Sequence, residues 1–159
     1  MIDAIFSGPP SNVPSPAGAT VAIGIDTSVA ALYASVGNGW VPVTGSTGKN
    51  SALAQTGATA SVLTYTAPVS GLYRVDGLVE QATSTNGTPG AVQVAYTNAT
   101  SGSAVAAASI TTPAATTGIG QAQSGSLIVN AKAGTSIVVS ALAPTTLTQN
   151  VYGCVEFLG

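Results

Sequence analysis

The chain has few side chains that could carry out acid–base, nucleophilic or metal chemistry. Its 159 residues include no histidine, one cysteine, five acidic residues and three basic residues. Without a histidine, neither a Ser-His-Asp triad nor a Cys-His pair can form, and Cys154 has no imidazole base to activate its thiol. Cys154 also lies in the apolar segment 151–158, so we expect it to be a small, inert core residue.

Paired carboxylates are the remaining candidates for catalysis. A glycosidase holds two of them about 5–9.5 Å apart. Asp76 and Glu80 are four positions apart on one predicted strand, which separates them by roughly 13 Å. Glu156 could approach either of them, but an ion pair with Arg74 is the simpler expectation. Arg74 and Asp76 project from the same face of their strand and could pair within one subunit or across a subunit contact. We therefore predict that the protein is not an enzyme.

Metal and cofactor sites are not indicated either. One cysteine without any histidine cannot form a zinc site, and the carboxylates do not cluster as calcium ligands do. The only Gly-Lys pair, Gly48-Lys49, lacks the spacing of a phosphate-binding loop. The sequence predicts no cofactor and no bound metal ion.

Low charge restricts the possible partners. The three cations, Lys49, Arg74 and Lys132, are scattered, whereas nucleic-acid binding and membrane-surface helices need clustered basic residues. No apolar run approaches the ~20 residues that span a bilayer. We expect neither nucleic acid nor membrane as a partner. A surface of small neutral residues favours self-association, although a hydroxyl-rich extracellular surface would have the same composition.

The first ten residues, MIDAIFSGPP, have neither the basic region nor the apolar region of a secretory signal. We therefore expect synthesis in a cytoplasm without signal-directed export. Residues 1–19 contain four prolines and predict an extended arm rather than a helix or a central strand. Residues 20–45 predict a small β-meander, with Asn38-Gly39 as a two-residue hairpin turn and Trp40 covering the small sheet. Residues 45–48 predict a linker.

Residues 46–159 predict an antiparallel β-domain. Apolar residues alternate with polar or small ones, and Gly, Pro or Asn bounds each segment. Seven or eight strands of this spacing are typical of a sandwich or jelly-roll. The predicted strands are Ser61–Thr66, Leu72–Gln81, Ala91–Thr97, Val105–Thr111, Ser126–Ala131, Ser136–Leu142 and Val151–Leu158, with a weaker one near Leu53.

The segment Thr66–Val75, TAPVSGLYRV, resembles a characteristic segment of C1q/TNF-like jelly-rolls. Residues 124–139 and 151–158 are similar to later strands of that family, with Thr135 where an aspartate is usual. The resemblance covers about residues 50–159. It implies that Gly71 makes a bend, that Tyr73 and Val75 point into the sandwich, and that three copies form a homotrimer.

The segment 16–45 is similar to short β-repeats of bacteriophage tail-fibre and head-fibre proteins. Together the two resemblances imply a non-enzymatic virion protein, a trimeric capsid decoration of the head-fibre type. Its N-terminal part would contact the major capsid or tail protein. Arg74, Asp76, Tyr73 and Trp40 are the predicted interface residues.

Two other functions stay open. The first is a receptor-binding tip of a tail fibre or baseplate, which would recognise a host glycan or protein through the loops Ser84–Pro89 and Thr112–Gln123. The second is a C1q-like protein of a cell surface or spore coat.

Overall fold

The computed structural model describes residues 4–6, 23–27, 31–36, 39–42, 47–83 and 85–159. All regular structure in these ranges is β. The strands are β1 (Ala4–Phe6), β2 (Ile23–Asp26), β3 (Ala31–Val36), β4 (Gly39–Pro42), β5 (Thr47–Gln55), β6 (Thr59–Thr66), β7 (Gly71–Gln81), β8 (Val92–Thr97), β9 (Ala104–Ser109), β10 (Ala122–Ala131), β11 (Ser136–Ala141) and β12 (Gln149–Phe157).

Strands β5 to β12 form two four-stranded antiparallel sheets. Sheet I has the order β10-β7-β12-β5 and sheet II has the order β6-β11-β8-β9. The chain crosses repeatedly between the sheets, so neighbouring strands within a sheet are distant in sequence, with the exception of the consecutive pair β8 and β9. This is the strand order of a jelly-roll, and the predicted antiparallel jelly-roll is confirmed.

The core lies between the two sheets because each strand alternates apolar and other residues with a period of two. On β7, Tyr73, Val75 and Val79 are fully buried, and on β12 Val151 and Val155 are fully buried. The predicted inward direction of Tyr73 and Val75 is therefore confirmed. Sheet II contributes further core residues, which are Val62, Leu63, Val92, Val94, Ile137 and Val139.

Two glycines leave room for close neighbours at the centre of sheet I, a backbone segment at Gly125 and a side chain at Gly77. Gly77 and Gly125 are cross-strand partners on β7 and β10. A Cβ atom on Gly125 would lie 1.9 Å from the carbonyl oxygen of Ile110, and one on Gly77 would lie 2.7 Å from Cγ1 of Val92. Any larger residue at Gly125 would therefore displace the backbone near Ile110.

Each predicted strand of the sandwich is present, but several begin earlier than predicted. The strand predicted near Leu53 is a nine-residue strand that begins at Thr47, so it includes the end of the predicted linker 45–48. A bulge at Ala54, whose φ is 53°, interrupts its pairing with β12. Strands β6 and β10 begin two and four residues before the predicted Ser61 and Ser126.

The N-terminal strands form a separate sheet with the order β1-β2-β3-β4. Strands β2, β3 and β4 form an antiparallel meander, as predicted, and β1 pairs with β2 in parallel. The arm thus contributes an edge strand ahead of its first proline. Gly39 pairs with Val36 within the sheet, so the prediction that Gly39 belongs to the turn was wrong. The proline-containing part of the arm lies outside the described residues.

Candidate functional site: the outer face of sheet I

Side chains of sheet I that point away from the core form a surface that we call the outer face. They are the residues that alternate with the core positions along each strand. Cross-strand register places them in rows. The outer face consists of Lys49 and Ser51 on β5, Leu72, Arg74, Asp76, Leu78 and Glu80 on β7, Ala122, Ser124, Ser126, Ile128 and Asn130 on β10, and Asn150, Tyr152, Cys154 and Glu156 on β12.

Apolar side chains are exposed on the outer face. Leu72, Ile128 and Tyr152 are 46%, 59% and 36% exposed. Leu158 is also exposed, and its amide donates a hydrogen bond to the carbonyl oxygen of Leu72. These side chains give the outer face apolar surface that contact with a partner would remove from water.

The outer face also carries most of the charges of the sandwich. Five of the six charged residues in 47–159 lie on it, and only Lys132 does not. Arg74 bridges two carboxylates. Its Nε lies 3.3 Å from Oδ2 of Asp76, and its Nη2 donates to Oε2 of Glu156. The structure therefore contains the predicted Arg74–Glu156 pair within one copy.

Glu80 and Lys49 are the charges of the outer face that have no ion-pair partner among the described residues. Oε2 of Glu80 lies 3.4 Å from Nδ2 of Asn150 and 3.5 Å from the hydroxyl of Tyr152. These are long, neutral contacts that leave the carboxylate charge uncompensated. Lys49 is exposed at the opposite border of the face, on the edge strand β5.

A trough of about 760 Å³ crosses the middle of the outer face. Small residues, namely Ser51, Ser124 and Ser126, leave space between larger neighbours. Leu78, Tyr152, Asp76 and Lys49 also line it. The trough thus offers apolar contact with a few polar groups at its border, a combination typical of binding surfaces.

Cys154 lies on the outer face and lines the trough, so its predicted position in the core was wrong. It is half-buried between Asp76 on one side and Lys49 on the other. Desolvation raises the pKa of the thiol, and the carboxylates of Asp76 and Glu156 raise this pKa further. The prediction failed because it relied on the apolar composition of 151–158. Burial alternates along β12, so Gly153 and Val155 face the core and Cys154 between them faces outward.

Tyr73 is fully buried, so its side chain cannot contact a second subunit directly in this conformation. Its hydroxyl donates to the carbonyl oxygen of Val69 at 2.7 Å, and its ring packs against Tyr65 and Phe157. Desolvation raises its pKa far above the usual range. Of the other predicted interface residues, Arg74 and Asp76 lie on the outer face. The side chain of Trp40 lies outside the described residues.

The loops at one end of the sandwich form a second ordered surface. Gly87 and Thr116 exchange backbone hydrogen bonds, as do Thr88 and Thr145. The fully buried Gln149 accepts a bond from the amide of Gly90 and donates one to the carbonyl of Leu142. These contacts join the predicted loops 84–89 and 112–123 to the loop before β12, although Ser84 itself is not described.

In the described ranges, no three His, Cys, Asp or Glu residues are grouped as a metal site would require. The same ranges contain no helix of the length and apolarity needed to cross a bilayer.

No known protein-family profile matches the sequence, and no curated protein matches it. The globular domain of zebrafish complement 1qA protein is similar in structure, with 12% identity, a TM-score of 0.43 and coverage of 71% of this chain and 96% of that one. An infectious bursal disease virus structure has 13% identity, a TM-score of 0.45 and coverage of 83% and 44%.

A Clostridium thermocellum xylanase structure is also similar, with 10% identity, a TM-score of 0.37 and coverage of 70% and 26%. Because all three TM-scores are below 0.5, these likenesses carry no argument about function. The jelly-roll assignment rests on the strand order of this chain.

Proposed function

We propose that the protein is a non-enzymatic structural protein of a bacteriophage virion, a homotrimeric capsid decoration of the head-fibre type. The sandwich would form the trimer, and the N-terminal arm and meander would attach it to the major capsid or tail protein. The observation that carries the proposal is the outer face of sheet I, which combines exposed apolar side chains with five of the six charges of the sandwich. Covering this face would remove apolar surface from water and make association favourable.

The edges of the sandwich support a contact between copies. Strands β9 and β10 are the last strands of sheets II and I. Their sequences, AVAAAS and AQSGSLIVNA, contain no charged residue and no proline. Edge strands usually carry such residues because these prevent pairing with other chains. A bulge at Ala107 and contacts of Ala99 and Ala114 with β10 cover part of these edges, and the uncharged remainder is suited to a contact with another copy.

Such a contact would join two different surfaces, the outer face of one copy and the β9–β10 edge of the next. Heterologous contacts of this kind close into rings when the rotation permits. The resemblance to C1q/TNF-like domains implies an assembly of three copies. The resemblance to phage repeats implies that residues 1–45 attach the protein to the particle.

The virion assignment can be tested on particles. Phage would be induced from the strain that encodes the chain, purified on a density gradient and analysed by quantitative mass spectrometry. The proposal predicts that the chain co-purifies at a fixed copy number divisible by three. Its absence from intact, infectious particles would contradict a structural role in the virion.

A receptor-binding tip is the second candidate, and the joined loops at the end of the sandwich favour it. Residues 82–91, 110–121 and 142–148 contain no charged residue. Thr146 is held at φ 60° while its hydroxyl donates to the carbonyl of Asn86. Ordered loops with a strained residue are common at binding sites. Purified protein that blocks adsorption of the phage to its host would support this candidate over simple decoration.

A further inference from the structure

The outer face has two charges of opposite sign that have no ion-pair partner among the described residues of their own copy. Arg74 is satisfied by Asp76 and Glu156. Among the described residues no cation pairs with Glu80 and no carboxylate pairs with Lys49. In an exposed face this is unremarkable because water solvates both groups. If the face were covered, however, both charges would lose their water, and an unpaired charge removed from water is strongly unfavourable.

Lys49 and Glu80 cannot satisfy each other within one copy. On β12, Cys154 is the cross-strand partner of Lys49, and Asn150 is the partner of Glu80. Four residues along a strand correspond to roughly 13 Å, and the two side chains also lie on opposite sides of β12. Two carboxylates lie near Lys49 in the register, Glu156 diagonally on β12 and Asp76 across its row on β7, and both already bind Arg74.

We propose that Lys49 of one copy forms an ion pair with Glu80 of the next copy when the outer face is covered. This inference rests on the proposed assembly through that face. Each copy supplies one group of each sign, so every Lys49 and every Glu80 finds a partner in a closed ring.

The positions of the two residues fit such a contact. Glu80 lies one strand away from the β10 edge, and its neighbour on β10 is Ala122, which is too small to separate the carboxylate from that edge. When the β10 edge of one copy packs on the outer face of the next, Glu80 is brought towards that face. Lys49 stands exposed at the far border of the same face and beside the trough.

Charge-swap variants test the pairing by sedimentation velocity over a concentration series. K49E and E80K each place two like charges in contact, and we expect each to raise the dissociation constant at least about tenfold. The double variant K49E/E80K restores the opposite charges and is expected to return to within about threefold of the wild type. K132E is the matched control, because Lys132 lies outside the outer face, and it should leave the constant unchanged.

The outcomes separate this inference from the proposed function. A wild-type chain that stays monomeric would overturn the proposed assembly and the pairing with it. A wild type that assembles while K49E and E80K assemble equally well would overturn the pairing alone. Weakened single variants without recovery in the double variant would also overturn it. If E80K fails to fold, E80Q replaces it, because glutamine keeps the shape of the side chain and removes only the charge. We expect E80Q to assemble more weakly than the wild type. Unchanged assembly of E80Q would contradict the pairing.

Discussion

Ile128→Ser is expected to weaken assembly without unfolding the chain. Ile128 lies on the edge strand β10, at the end of a row that continues through Arg74 and Glu156. It is 59% exposed in the single copy, so the sandwich core gains little from it. Its replacement by serine therefore removes apolar surface that only another copy would cover.

The magnitude follows from the exposed fraction. Complete burial of an isoleucine side chain contributes about 1.5–3 kcal/mol, and the exposed part of Ile128 corresponds to roughly 1–2 kcal/mol. Because 1.4 kcal/mol is a factor of ten, each contact between copies should weaken by about five- to thirtyfold. A closed trimer contains three such contacts, so the overall loss is roughly 3–6 kcal/mol.

Sedimentation velocity over a concentration series measures this loss, and thermal unfolding checks that the fold is retained. Leu142→Ser is the matched control, since Leu142 is 47% exposed but follows β11 of sheet II, away from the outer face. We expect Leu142→Ser to assemble as the wild type does. Equal assembly of Ile128→Ser and the wild type would refute the role of the outer face, as would equal weakening by the two substitutions.

Three further predictions concern the same surface and the core beneath it. Arg74→Ala should weaken assembly in sedimentation, because Asp76 and Glu156 lose the cation between them; an unchanged dissociation constant would argue against an interface role for Arg74. Gly125→Ala should lower stability to urea by at least about 1–3 kcal/mol, since its Cβ would meet the Ile110 carbonyl, whereas Gly57→Ala, in open space, should change it little. The Cys154 thiol should react with maleimide more slowly at higher protein concentration, because assembly covers the trough, and faster as pH rises towards its raised pKa. A reaction rate that does not depend on protein concentration would contradict the burial of the trough in the assembly.

The sandwich could largely be predicted from the sequence because its strands alternate so regularly. Tyr73, Val75 and Val79 on β7 illustrate this, since their spacing alone places them on one face. Strand β5 was underestimated because TGKNSALAQ has only one large apolar residue and no β-branched residue apart from Thr47. Its existence depends on pairing with β12, which is about a hundred positions away in the chain.

The candidate site could be predicted only in part, for a related reason. Arg74 and Asp76 share a face because they are two residues apart on one strand, which the sequence contains. The contact of Arg74 with Glu156 depends on β7 and β12 being neighbours in the observed register. The trough and the isolation of Lys49 from Glu80 depend on the whole order β10-β7-β12-β5. Such long-range register has no local sequence signal.

The mass of the purified chain in solution tests the central claim most directly. Light scattering behind size exclusion, repeated over a range of loading concentrations, measures it without assumptions about shape. Assembly through the outer face as a homotrimer predicts about three times the chain mass of 15.3 kDa. A mass of one chain at every concentration would contradict the account.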